Sequence, residues 1–176
     1  MGSFSDVAAF LFANLVVDFL RGSGLGFTEI QRTSTFDKND KNGIDAVGKM
    51  PGEVALAIDI TFNGGEKLKE KRERNLRQPC VCLHSEAGLA ISEPLPRILI
   101  HDISQVNWMT YAREAQSHGI ELIDAMGKPN RIKKERQFLN QILTQINGLS
   151  RFSSDYKERI KPAKEIFQKR LAEIGK

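Results

Sequence analysis

With 176 residues, 40% of them hydrophobic and 7% aromatic, the chain is long enough for one folded domain and too apolar for a disordered one. No run approaches the ~18–20 apolar residues of a membrane span; Val7–Val17, which lacks a basic leader and a small-x-small cleavage site, reads as a buried helix in a cytoplasmic protein with no membrane partner. The net charge of +4 is unevenly spread: residues 128–176 hold 13 Lys/Arg against 5 Asp/Glu, whereas residues 1–127 hold 13 against 17.

In chain order, Ser5 or Ser3 caps a first helix that runs to about Arg21 and ends at Gly22–Gly24. Alternation over Phe27–Ser34 predicts a strand. The polar stretch Asp37–Gly43 turns the chain into a second strand, Ile44–Val47, and Met50–Gly52 turns it into a third, Glu53–Phe62, whose apolar run reads as buried. Asn63–Gly65 breaks that strand, and the charged segment Glu66–Arg77 is helical in pattern. A fourth strand is expected at Cys80–His84, another at Arg97–His101, a helix over Gln105–His118 and a short strand at Ile120–Ile123. Gly127–Pro129 marks a boundary between a body of residues 1–127 and a basic extension of residues 128–176. The extension reads as a hairpin of two helices, Arg131–Asn147 and Ser153–Ile174, with Pro162 set to kink or restart the second. The class expected is α/β with a C-terminal helical hairpin packed on the core.

Two acidic residues stand out against this pattern. Asp59 lies near the end of the apolar third strand, and Asp45 follows the Asn42-Gly43 turn on the strand before it. Ionised carboxylates are costly to bury unless a cation or donor meets them. Two of them one hairpin apart form an anionic pocket at a sheet edge. Such a pocket suits a hard divalent cation, because Mg²⁺ takes one or two carboxylates and keeps several waters.

The order helix, strand, strand, strand, helix, strand over residues 4–84 resembles the core of the PD-(D/E)XK, or restriction-endonuclease-like, nuclease superfamily. In that family an acidic residue opens the second core strand, and the third carries an acidic residue, any residue, then lysine. Asp45 looks like the first acid and Asp59-Ile60-Thr61 looks like the second element, with Thr61 where the family has lysine. The resemblance implies an α-β-β-β-α-β core with a central mixed sheet flanked by helices. It also implies Mg²⁺- or Mn²⁺-dependent hydrolysis of DNA phosphodiesters, with Asp45 and Asp59 as metal ligands and the Ile60 carbonyl as a further one. Glu29, on the first strand, is a candidate carboxylate for a neighbouring metal. Some family members recruit the lysine from the following helix, and Lys67 and Lys71 are the candidates here. Lys67, about one helical turn past the strand end, has the shorter reach on this reading. The alternative is a solvated face on which Lys67, Lys69 and Lys71 pair with Glu66, Glu70 and Glu73.

The basic extension adds a candidate nucleic-acid grip of Arg131, Lys133, Lys134, Arg136, Lys157 and Lys161, with DNA favoured by the resemblance and a sequence-independent hold on phosphates implied by the chemistry. The same composition also suits helices that are merely soluble. A catalytically degenerate module that binds nucleic acid or protein is the second reading, and a subunit that meets an acidic protein partner is the third; a homodimer or a place in a larger complex is compatible with each. Other constellations carry less. Asp37–Gly43 fails as half an EF-hand because Lys38 and Lys49 fall where acids are required. Cys80, Cys82 and His84 share one strand face but lack a second ligand pair for zinc. His101-Asp102 has no recognisable nucleophile, and Trp108 with Tyr111 reads as core rather than as a base-stacking platform.

Overall fold

The computed structural model describes residues 4–33, 43–62, 64–84, 93–102, 104–149 and 154–174. The Ser3 cap, the Ser5 side chain and the polar turn up to Asn42 lie outside the described residues. Helix α1 (Phe4–Gly22) leads into an antiparallel meander of β1 (Glu29–Arg32), β2 (Ala46–Lys49) and β3 (Ala55–Thr61). Helix α2 (Gly65–Arg77) then crosses the sheet, followed by a two-residue β4 (Cys80–Val81) and by β5 (Leu95–His101). Helices α3 (Gln105–His118), α4 (Leu122–Ala125), α5 (Gly127–Leu149) and α6 (Ser154–Ile174) complete the chain. The sheet is mixed, in the order β1-β2-β3-β5-β4, so the class is α/β as expected.

Several expectations are corrected. The strand parallel to β3 is β5, and the fourth strand expected at Cys80–His84 is limited to Cys80–Val81. Cys80–Val81 instead pairs antiparallel with the outer edge of β5, at Leu95 and Pro96. Hydrophobic runs mark strands without giving their order, which is set by the crossover. The short strand expected at Ile120–Ile123 is a single helical turn, Leu122–Ala125, closed by bonds from the Asp124 and Ala125 N–H groups to the Glu121 carbonyl. A four-residue segment with three apolar residues does not separate strand from helix, and Leu122 and Ile123 pack on the core equally well from a helical turn. Helix α6 does not restart at Pro162 but continues through it.

The alternation of β3 and β5 gives the sheet two unlike faces. On one, Leu56, Ile58, Ile60, Ile98 and Ile100 join a single core with α1, α3, α5 and α6. Trp108 sits at its centre, fully buried, edge-on to Phe12 and Phe19 and stacked on Phe138, so it is core as read from the sequence. Phe138, Ile142, Ile146, Ile160 and Phe167 of the C-terminal hairpin belong to this same core, so the boundary at residue 127 does not divide it. On the other face Asp59 and Thr61 of β3 lie beside Arg97, Leu99 and His101 of β5, under α2, which has no buried residue of its own.

Beyond β4 the outer edge of β5 would leave backbone groups unpaired. Two glutamines one turn apart on α5 replace the missing strand. Gln145 accepts from the Leu99 N–H at 2.8 Å and donates to the Leu99 carbonyl at 2.7 Å, and Gln141 does the same for His101 at 3.0 and 2.8 Å. Replacing Gln145 by Leu leaves a buried donor and acceptor unsatisfied, so we expect a loss of about 2 kcal/mol in urea unfolding together with faster hydrogen exchange at the Leu99 amide.

Candidate metal and active site

Asp45 directly precedes β2 and continues its ladder, its N–H donating to the Ile58 carbonyl at 2.8 Å and its carbonyl accepting from the Thr33 N–H at 3.1 Å. Its carboxylate turns across to β3, where Oδ2 accepts the Ile60 N–H at 2.6 Å. Asp59 is fully buried on the adjacent stretch of β3. The two carboxylates expected from the sequence therefore meet at the β2–β3 junction. Burial pushes the Asp45 carboxyl up to about 6, with the Asp59 charge adding to the rise and Lys71 opposing it. A rise driven partly by a neighbouring carboxylate marks a pair that attracts positive charge.

Two cations from α2 answer it. Lys71 donates to Asp59 Oδ1 at 2.6 Å and to the Ile60 carbonyl at 3.0 Å. Arg74 Nη2 donates to Asp59 Oδ2, and its guanidinium packs so close to Gly43 that a Cβ there would force the guanidinium to shift. Gly43 also holds φ at +73°, a second reason for glycine at this turn. Arg32 of β1 stands 4.0 Å from Asp45 Oδ1.

The preference for Lys67 is thus corrected in favour of Lys71. Lys67 is exposed. A helix that follows a strand and leads to a parallel neighbour runs back along the sheet. Six residues into α2 is ~9 Å of return, and Asp59 lies two residues, ~6.6 Å, inside the end of β3. Side chains lean toward the helix start, so Lys71 closes the remaining gap while Lys67 stays over the strand end. Arg74 is a site residue that the sequence reading misses, although it shares a helix face with Lys71 at a spacing of three, which is the available signal.

Glu29 is corrected as well. It pairs in register with Lys49, at the opposite end of the β1–β2 ladder from Asp45, and its carboxylate meets the Lys49 ammonium at 2.8 Å. The exposed Lys49–Glu29 pair is a surface contact.

The basic extension is only partly available. Lys134 is 12% exposed and binds Asp102, with Ser104 Oγ accepting a further bond at 2.7 Å. Arg131 lies 3.3 Å from the buried Glu135, which Arg170 of α6 approaches from its other side at 3.6 Å. Arg136 donates to the Ile174 carbonyl at 3.1 Å but remains exposed. Lys133, Lys157 and Lys161 are exposed and meet no carboxylate among the described residues. A cation on a buried stripe joins helices; one on the outer face can meet a phosphate.

Asp102 is a structural hub. Its Oδ1 accepts the Ser104 N–H at 2.9 Å and hydroxyl at 2.6 Å, and its Oδ2 accepts the Trp108 indole N–H at 2.8 Å and the Lys134 ammonium. These donors tie the end of β5 to α3 and α5, in line with the structural reading of His101-Asp102.

Among the described residues no group of three or more His, Cys, Asp or Glu side chains converges as a metal cage. A divalent ion would have Asp45, Asp59 and the Ile60 carbonyl. These are hard oxygens, and two carboxylates suffice for Mg²⁺ or Mn²⁺ with a largely aqueous shell. Arg74, with a side chain 36% exposed, can leave Asp59 for solvent while Lys71 stays. Searches of family models, curated proteins and solved structures find no match to the chain.

Proposed function

We propose that the protein is a divalent-metal-dependent nuclease of the PD-(D/E)XK type that hydrolyses DNA phosphodiesters, with Lys71 in the role of the lysine absent at Thr61. The observation that carries this reading is the Lys71 ammonium 2.6 Å from Asp59, beside Asp45 at the junction of the second and third strands. A five-stranded mixed sheet with helices packed on it is compatible with this reading at the level of an α/β fold.

An ion held by Asp45, Asp59 and the Ile60 carbonyl would lower the pKa of a bound water and offset charge gathering on the phosphate oxygens. The chain's own groups do the rest. Asp45 and Asp59 give the anionic site its attraction for cations. Lys71 is anchored by two oxygens and retains a third donor direction, which serves to orient water or to meet a non-bridging phosphate oxygen. Lys133, Lys157 and Lys161 supply an exposed grip on the backbone of the substrate.

Lys71→Ala is expected to lower cleavage on the order of 10²–10³-fold, the usual cost of losing one aimed donor, while Lys67→Ala leaves it unchanged. Rates on a labelled duplex in Mg²⁺ check this, and equal rates in Lys71→Ala and the wild type would sink the assignment of Lys71.

A second reading rests on Arg74. With Arg74 and Lys71 both on Asp59, the buried carboxylate is neutralised from within, as in a degenerate module that binds DNA without cutting it. Removing the second cation separates the two. Arg74→Gln raises metal affinity and preserves or increases cleavage in a nuclease, whereas DNA binding by a degenerate module ignores both Mg²⁺ and Asp45→Ala.

A further inference from the structure

Helix α2 has a second inward side. Lys71 and Arg74 address the carboxylates, while Arg72, Asn75 and Leu76 border a cavity of about 630 Å³ that is closed by β5 and α5. Among the described residues that line it none is acidic, and Arg72 and Arg97 give it a cationic wall. Its apolar walls come from Leu76, Leu99 and Leu149, and Leu76 is 66% exposed at the rim.

Two of its polar groups are left unsatisfied. Arg97 is 2% exposed, yet its Nε and Nη1 meet no acceptor among the described residues. The Asn75 amide is buried at both its oxygen and its nitrogen, again with no partner among them. Buried polar groups are nearly always paired, and an unpaired guanidinium is among the costliest exceptions. Burial, and then the Arg74 charge, pull the Arg97 guanidinium below its ordinary pKa, with the Asp59 charge only partly opposing them.

The unsatisfied groups define their complement: an anion for the guanidinium, and an adjacent acceptor and donor in one plane for the amide. Apolar walls suit a flat ring, and the volume lies in the range of small-molecule sites and is too small for a docked helix. A nucleotide carries all three features, since an asparagine amide matches the paired donor and acceptor of a base edge. We propose that this cavity binds a nucleotide, free or at the end of a strand, with its phosphate on Arg97 and Arg72 and its base edge on Asn75. The assignment stands whether or not the carboxylate pair cuts DNA.

The test is titration of the full chain, in EDTA so that the metal site takes no part, with each of the four deoxynucleoside 5′-monophosphates, with the unphosphorylated deoxynucleosides and with inorganic phosphate. At least one monophosphate is expected to bind, and more tightly than either of its parts. Arg97→Met and Asn75→Ala are each expected to weaken it by roughly tenfold or more. Unliganded Arg97→Met should melt no lower than wild type, because the guanidinium it removes is buried with two of its three nitrogens lacking an acceptor among the described residues. A 5′-phosphorylated oligonucleotide that binds more tightly than the monophosphate identifies a strand end, and the reverse order identifies a free nucleotide. The proposal is overturned if no monophosphate binds, if phosphate alone binds as tightly, or if Asn75→Ala binds like wild type. The Asn75→Ala measurement decides even where Arg97→Met fails to fold.

Discussion

Asp102→Ala is expected to destabilise the protein by about 3–5 kcal/mol, the range for breaking one side of a buried ion pair. The carboxylate is 3% exposed and accepts from four donors on three segments. Without it the Lys134 ammonium, 12% exposed and 5.8 Å from the Trp108 ring, keeps only the neutral oxygens of Ser104 and Gln137 as acceptors. The cause can be isolated. In Asp102→Ala/Lys134→Met the orphaned charge is gone, so much of the stability should return, whereas independent effects would add. The pH dependence has a definite sign. Burial alone would raise the Asp102 carboxyl, but Lys134, Ser104 and Trp108 outweigh it and hold it below the ordinary carboxylate value. Its contribution is therefore complete above the unfolded pKa of about 3.9 and is lost as pH falls through the lower folded value. Urea midpoints of wild type and Asp102→Ala should differ most near neutrality and converge in acid. A constant difference across that range would place the effect in packing instead of charge.

Asp59→Asn is expected to remove cleavage, by about 10³-fold or more if the several kcal/mol of charge stabilisation that a metal supplies are lost. Its effect on folding is smaller. Asp59 is fully buried, but its partners Lys71 and Arg74 have side chains 28% and 36% exposed and can turn toward water, so the cost should stay within about 2 kcal/mol. A folded but inactive protein that no longer takes up Mn²⁺ separates a ligand from a strut. Asp59→Asn that binds Mn²⁺ as well as wild type would remove Asp59 from the ligand set.

Much of the fold and of the carboxylate pair is legible in the residue pattern, and the failures share a cause. The helix over Gln105–His118 has the predicted ends, closed by Gly119 in the left-handed conformation, because apolar spacing and a terminal glycine are local signals. Asp45 and Asp59 are visible in the sequence because a carboxylate beside or within an apolar strand is anomalous wherever the strand lies. What local signals do not carry is which strand neighbours which, so pattern alone places the fourth core strand at Cys80–His84 and not at Leu95–His101. The same gap misdirects the choice of lysine: Lys67 is nearer Asp59 in sequence, but α2 doubles back and delivers Lys71. Lys134 reads as a surface cation because nothing near it in the chain announces Asp102, 32 residues earlier. Arg97 hides in an apolar run although, like Asp59, it is a charge on a buried strand, and the criterion that identifies one applies equally to the other.

The most direct measurement is cleavage of labelled single-stranded, duplex and branched DNA by wild type and Asp59→Asn, in Mg²⁺ and in EDTA. If the carboxylate pair holds a catalytic metal, wild type cuts at least one substrate in Mg²⁺, EDTA abolishes the cutting, and the mutant shows none. Cutting that survives EDTA or Asp59→Asn would contradict that role, as would wild type that binds DNA yet cuts none of the three.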